Sequence, residues 1–282
     1  MKLARPDVFH PRIVLAGYRL HVAGDRDDAG LVPALRRRGL HARWLAWDDP
    51  ETGRADLVIL RATRDYADRL DEFLAWTTGV ANLLNAPAVV AWNADRRYLG
   101  DLAGRGVPTV LGEVVAPGAR VRLPRTGDVF VGPSIGTGTR RCADRAAADA
   151  CVAELHEAGR SALVQPGAAA AETVLVFLGG KPSHAFTGAG EAMAEPDFEL
   201  WDVGAAALAA AAAHVGVVPS ELLYARAHLL GARLLELQLV EPSLGWRRLG
   251  PDGRDLGQRR FALAVESACE RLGLGPLSHR RP

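Results

Sequence analysis

The sequence predicts an α/β protein that opens with a parallel sheet and continues into further lobes. Short apolar runs alternate with amphipathic stretches through the first hundred residues, the pattern of strands joined by helical crossovers. The second half instead carries short strands at close spacing, one pair joined by Gly179-Gly180, as a hairpin requires. With 282 residues, the chain is long enough to bury a substantial core and split into two or three lobes.

Residues 12–18 (RIVLAGY) read as a buried strand, followed by a polar loop holding Asp25, Asp27 and Asp28. A short helix over 31–39 ends on glycine, and a second strand spans 41–47 before the turn Asp48-Asp49-Pro50. A third strand covers 56–60. The helix over 68–80 groups Leu70, Phe73, Leu74 and Trp76 on one side. Residues 89–92 are expected to form a fourth strand, with Asn93 capping a helix that runs to Gly104 or Gly106. Ligands of parallel sheets sit beyond the carboxyl ends of the strands. Asp28, Arg61 and Asp65 are therefore candidates for substrate contact, with turn-making and helix capping as their alternative roles.

Residues 116–128 mix proline, glycine and arginine without period and read as a surface loop. A strand over 129–131 enters the small-residue run 132–139 (GPSIGTGT), either a tight hairpin or a loop presenting backbone N–H groups to a phosphate. A helix over 143–159, strands over 162–165, 174–178 and 182–186, and a further strand over 197–203 follow. An alanine-rich helix then runs to His214, and a strand over 222–225 leads onward. In the stretch 234–244 (LLELQLVEPSL), strand alternation puts Leu235, Leu237 and Leu239 on one face and Glu236 and Gln238 on the other, until Pro242 ends the ladder. That spacing describes either a half-exposed edge strand or a clamp for a hard divalent cation.

A net charge of +1 argues against a nucleic-acid surface, and the basic residues number 34 with only Lys2 and Lys181 as lysines. Cys142, Cys151 and Cys269 show no paired spacing and read as idle thiols of a reducing cytoplasm. The alanine-rich run is too short and too weakly apolar to predict a membrane span. A homodimer is the default assembly, and Arg280-Arg281 reads as a frayed tail.

In order along residues 12–245, the motifs Trp47-Asp48-Asp49-Pro50, Asp56 to Tyr66 (DLVILRATRDY), Trp92-Asn93-Ala-Asp95-Arg96-Arg97-Tyr98-Leu99, Leu163-Val-Gln165-Pro166, Ser183-His184-Ala185 and the 234–244 strand resemble the ATP-grasp ligases. Within them they resemble the actinobacterial group that includes the cycloserine-forming enzyme. The resemblance implies an ATP-grasp fold: a Rossmann-like lobe over 1–110, a small subdomain with the glycine-rich loop over 111–190, and a subdomain with the metal-site strand over 191–282. It implies ATP and Mg²⁺ as cofactors, small carboxylate and amine (or thiol) substrates, and an acyl-phosphate intermediate. Arg226 would neutralise developing charge, and Arg96 with Ser134, Gly136, Gly138 and Thr139 would meet the phosphates. Gln165 would meet adenine, Glu172 the ribose, and Glu236 and Gln238 would hold Mg²⁺.

The chain also departs from the family's pattern. Gly132 stands where a lysine precedes the loop, Arg96 replaces a second lysine, and Arg226-Ala-His228 replaces Arg-x-Asp. Gln238 takes an acidic or asparagine position, and the basic residues after His184 and the aromatic at Gly167 are missing. Arg140 and Arg141 are either compensating cations or solvated ones. A weakly active or inactive relative that binds a nucleotide or metabolite is the alternative function.

Overall fold

The computed structural model describes residues 9–23, 26–123, 127–193 and 195–275; Asp25 and Arg280-Arg281 lie outside them. Strands β1 (Arg12–Gly17), β2 (His41–Ala46), β3 (Leu57–Ala62) and β4 (Leu83–Leu84) form a parallel sheet in the order β2-β1-β3-β4. Both faces are covered, as an all-parallel sheet requires. Ile13 and Leu15 pack with helix α1 (Leu31–Arg37), whereas Val14 and Ala16 pack with α2 (Leu70–Gly79) through Phe73. The strand expected at 89–92 is instead helix α3 (Pro87–Asn93): Pro87 in the first turn presets helical φ, and a short apolar run alone does not separate strand from buried helix. Helix α4 (Tyr98–Gly104) starts after Arg97, so Asn93 ends one helix rather than capping the next.

A second, antiparallel sheet has the order β5-β8-β6-β7, built from β5 (Glu113–Val115), β6 (Val129–Pro133), β7 (Arg140–Cys142) and β8 (Ala162–Pro166). Helix α5 (Arg145–Glu157) packs over it through Ala148 and Val152, its first turn capped by Asp144. Cys142 and Cys151 meet between β7 and α5 with their sulfurs 3.4 Å apart, a proximity that their nine-residue separation does not reveal.

The third sheet orders β11 (Ala192–Met193), β10 (Lys181–Thr187), β9 (Glu172–Leu178), β12 (Tyr224–Leu230) and β13 (Arg233–Gln238), with β9 and β10 joined by the left-handed pair Gly179-Gly180. A division at residue 190 would cut through this sheet, since β9 and β10 share it with β12 and β13. Helix α6 (Phe198–Val215) lies across one face, against Leu175, Phe177, Ala227 and Leu237. Its first turns are the expected strand 197–203, because the alanine-rich register that follows extends back to Asp197. Gly204 lets it approach closely: a β-carbon there would stand 2.8 Å from the Phe177 ring. Among the described residues α6 is the one helix of a length and mean hydropathy (1.2 over 18 residues) compatible with a membrane span, and its inner face is packed in this core. The opposite sheet face packs on the first lobe and on α7 (Pro251–Arg271), a helix the sequence reading does not assign.

Strand β13 is the outer strand of its sheet, so the backbone groups of Leu235, Leu237 and Leu239 face away from β12. Side chains of the other lobes meet most of these groups. Gln165 donates to the Leu235 carbonyl at 3.0 Å, and the Tyr98 hydroxyl accepts from Leu237 N–H at 2.9 Å. Asn93 donates to the Leu237 carbonyl at 2.9 Å and accepts from Leu239 N–H at 2.7 Å. Asn85 donates to the Leu239 carbonyl at 2.7 Å and accepts from Leu223 N–H at 2.7 Å. Buried backbone groups left without partners are costly. Replacing Asn85, fully buried at this junction, by alanine is expected to lower stability by about 3 kcal/mol, read as a reduced midpoint in urea unfolding.

Candidate active site

The residues two apart from those leucines turn the other way. Glu236 and Gln238 project from β13 into a cleft of about 680 Å³, on the same face as Arg226 and His228 of β12. Register explains the grouping: Arg226 pairs with Gln238 and His228 with Glu236, so all four occupy adjoining positions of one antiparallel pair. Glu172 from β9, the loop residues Thr137, Gly138 and Thr139, and Arg141 of β7 complete one side. Arg64, Glu241 and Ser243 close the other.

Glu236 is buried and bonded on both oxygens. Arg96 donates to one at 2.5 Å and Thr139 to the other at 3.2 Å. Burial pushes its carboxyl pKa up, but Arg96, the Gln238 amide and Arg226 outweigh burial and hold it below the ordinary range, so it is ionised. The Arg226 guanidinium is itself lowered by burial, which Glu236 opposes. His228 lies beside Glu236, as neighbouring strands allow, yet its imidazole bonds Glu172 at 3.0 Å. Burial and then Arg226 push the His228 pKa down, leaving the ring neutral at neutral pH.

Glu241 went unnoticed in the sequence, where it reads only as part of the turn after the strand. It lies in the cleft wall with Thr63 as a hydroxyl donor at 3.4 Å, and burial raises its carboxyl to about 8. At neutral pH it is therefore largely uncharged. The cleft then carries Arg64, Arg141 and Arg226 against Glu172 and Glu236, a positive balance suited to a polyanion.

Other expected contacts lie elsewhere. Arg61 is buried, donating to Asp28 at 2.9 Å and to the Pro242 carbonyl at 3.0 Å; its Nε and Nη1 have no hydrogen-bond partner among the described residues. Asp65 accepts from Trp47 and Arg69. None of the three lines the cleft: each joins elements of the first lobe or ties it to the segment after β13. Gln165 also stays out of the cleft, its amide spent on the Val110 and Leu235 carbonyls. Ser134 is buried beneath the loop, and Gly136, with φ of 92°, turns the chain over Ala67. His184 is half-buried against Trp246 and bonds the Leu244 carbonyl. Arg140 pairs with Glu154 on the outer surface, whereas Arg141 bonds Glu172 at 3.1 Å within the cleft.

The donor set fits a hard cation. Glu236 and Gln238 offer oxygens from one strand face, and Mg²⁺ takes few protein ligands, leaving its other positions to water and phosphate. No group of three His, Cys, Asp or Glu side chains among the described residues is arranged to hold a metal.

Comparison with known proteins agrees with this architecture. Residues 13–85 match the family model described as the N-terminal domain of D-cycloserine synthetase DcsG. The chain is 32% identical over 263 residues to the cycloserine biosynthesis protein DcsG of Streptomyces lavendulae, covering 78% of this chain and 88% of that protein. The crystal structure of D-cycloserine synthetase DcsG superposes with a TM-score of 0.74 at 30% identity, over 93% of this chain and 99% of that one. A D-alanine–D-alanine ligase from Bacillus anthracis, complexed with ATP, shares the fold with a TM-score of 0.67 at 12% identity, over 94% of this chain and 98% of that one. The chain belongs to the ATP-grasp ligases, in the group of DcsG, and is an ATP-dependent ligase by descent.

Proposed function

We propose that this ligase activates a small carboxylate as its acyl phosphate and passes the acyl group to an amine or thiol. The observation that carries the reading is the cleft itself: Arg64, Arg141 and Arg226 line a space of about 680 Å³ whose floor strand presents Glu236 and Gln238. Phosphoryl transfer asks a protein mainly for alignment and charge neutralisation. The arginines supply the second. Arg226, held rigid between two strands and largely desolvated, opposes charge building on the transferred group without having to reorganise. Loop residues Thr137, Gly138 and Thr139 cover the phosphate end, and Glu172, steadied by His228 and Arg141, stands at the ribose side. Glu236 and Gln238 would hold Mg²⁺, which supplies charge neutralisation between the phosphates. To do so Glu236 must release the Arg96 guanidinium that occupies its Oε1.

That occupied carboxylate, with the uncharged Gln238 beside it, favours a second reading: a relative that binds nucleotide but turns over slowly. Two measurements separate them. ATP with Mg²⁺ at one hundred times its Kd is expected to stabilise the fold by about 2.7 kcal/mol; absence of any shift with or without Mg²⁺ overturns both readings. ADP release in the presence of small carboxylates and hydroxylamine, which captures acyl phosphates as hydroxamates, identifies the ligase. Binding without ADP release identifies the slow relative.

For the ligase, Arg226→Met is expected to lower the rate of ADP release by about a hundredfold or more while the protein remains folded by circular dichroism. Glu241 gives a pH prediction. Its pKa in the folded protein lies above the ordinary value of 4.5, at about 8, so its contribution to stability is complete below 4.5 and is lost as pH rises to about 8. Glu241→Gln should therefore gain stability relative to the unmodified protein across that window, measured by urea unfolding from pH 5 to pH 8.5.

A further inference from the structure

We propose that Cys142 and Cys151 form a redox modification site: a small disulfide such as oxidised glutathione captures Cys151, and Cys142 then completes an internal bond that fastens β7 to α5. Neither cysteine lines the cleft, and the inference does not depend on the ligase reading.

Strand β7 leaves the glycine-rich loop and runs for three residues along the outer edge of its sheet, paired with β6 alone. Alternation turns Arg141 toward Glu172 and the cleft, and Arg140 and Cys142 toward the face that α5 covers. There Arg140 pairs with Glu154, and Cys142 meets Cys151 with the sulfurs 3.4 Å apart. That separation leaves no room for an intervening atom. Two cysteines whose backbones hold them apart cannot be bridged without moving the chain; these two already touch across a strand and the helix packed on it. The third cysteine, Cys269, is 2% exposed in the core beneath α7.

The pair is asymmetric, which assigns the order of events. Cys142 is 3% exposed; burial, then its hydrogen bond to Cys151, push its thiol up to about 11, so it keeps its proton and donates it to Cys151 Sγ. Cys151 is half-buried and lies beside the Arg140 guanidinium, which both oxygens of Glu154 hold in place at 2.6 and 2.7 Å. The sulfur that solvent reaches and a cation faces is the one placed to attack. Cys151 gives its proton to solvent and its sulfur attacks one sulfur of RS–SR. The S–S bond of the reagent breaks, and RS⁻ leaves and is protonated. Cys142 then gives its proton to solvent, bonds to Cys151 Sγ and displaces the second RS⁻. Two protein thiols lose two electrons and two protons, and one RS–SR becomes two RSH. The product ties an edge strand, otherwise held by one neighbouring strand, to the helix beside it.

The test treats the folded full chain with oxidised glutathione, alkylates the remaining thiols and reads tryptic peptides by mass spectrometry. Trypsin cuts after Arg141, Arg145 and Arg160, so the two cysteines fall in separate peptides, 142–145 and 146–160. These peptides are expected to appear joined, two hydrogen masses lighter than their sum, in more than about half of the chain, and to separate on reduction, with Cys269 alkylated only after unfolding. In Cys142→Ser the reaction is expected to stop at a glutathione adduct on Cys151, at least about tenfold more abundant than the adduct on Cys142 in Cys151→Ser. Should Cys142→Ser fail to fold, Cys142→Ala keeps the buried position apolar and serves in its place. The proposal is overturned if no joined peptide forms, if the bond formed includes Cys269 or a second copy of the chain, or if the two single variants take up glutathione equally.

Discussion

The edge of β13 constrains the rest of this molecule. An outer strand exposes alternate N–H and C=O groups, and here Gln165, Tyr98, Asn93 and Asn85 meet those of Leu235, Leu237 and Leu239 one after another. The partners come from two different lobes. The strand is thereby held as firmly as an interior one while still lying at the boundary between lobes, where a cleft can form. Its alternation then does two things with one register: Leu237 and Leu239 go to the α6 core, and Glu236 and Gln238 go to the cleft.

Charge in the cleft follows from the same arrangement. Because β12 is locked between β9 and β13, Arg226 and His228 stand in fixed positions beside the β13 pair. Burial then sorts the ionisable groups. Glu236, surrounded by donors, stays charged; Glu241, whose burial outweighs Arg64, Thr63 and Arg61, takes up a proton; His228 loses one. These opposite outcomes for two carboxyls of one segment come from their neighbours and not from their chemistry. The result is a positive enclosure assembled from a chain whose net charge is only +1.

Much of this was legible in the residues. The parallel lobe announced itself through alternating strand and helix patterns, and the facing of Glu236 and Gln238 followed from a period of two. Short apolar runs were ambiguous where one residue decided the outcome: Pro87 made a helix of 87–93, and the alanines after Val203 pulled 197–203 into α6. Gln165, given to adenine by the resemblance, and Arg61, given to substrate as the end of a parallel strand, bond instead to backbone carbonyls or a carboxylate more than thirty residues away. Only docking of the lobes brings those acceptors near. Glu241 was missed because its importance lies in desolvation, and no local pattern reports how deep a residue will be.

The amides and hydroxyl along β13 also have a consequence beyond the cleft. A sheet margin with free hydrogen-bonding groups invites a foreign strand to add itself, by which folded proteins misassemble. Here the margin is closed by side chains of the same molecule, so the segment that carries Glu236 and Gln238 offers no template to a passing polypeptide, whatever lies in the crevice beside it.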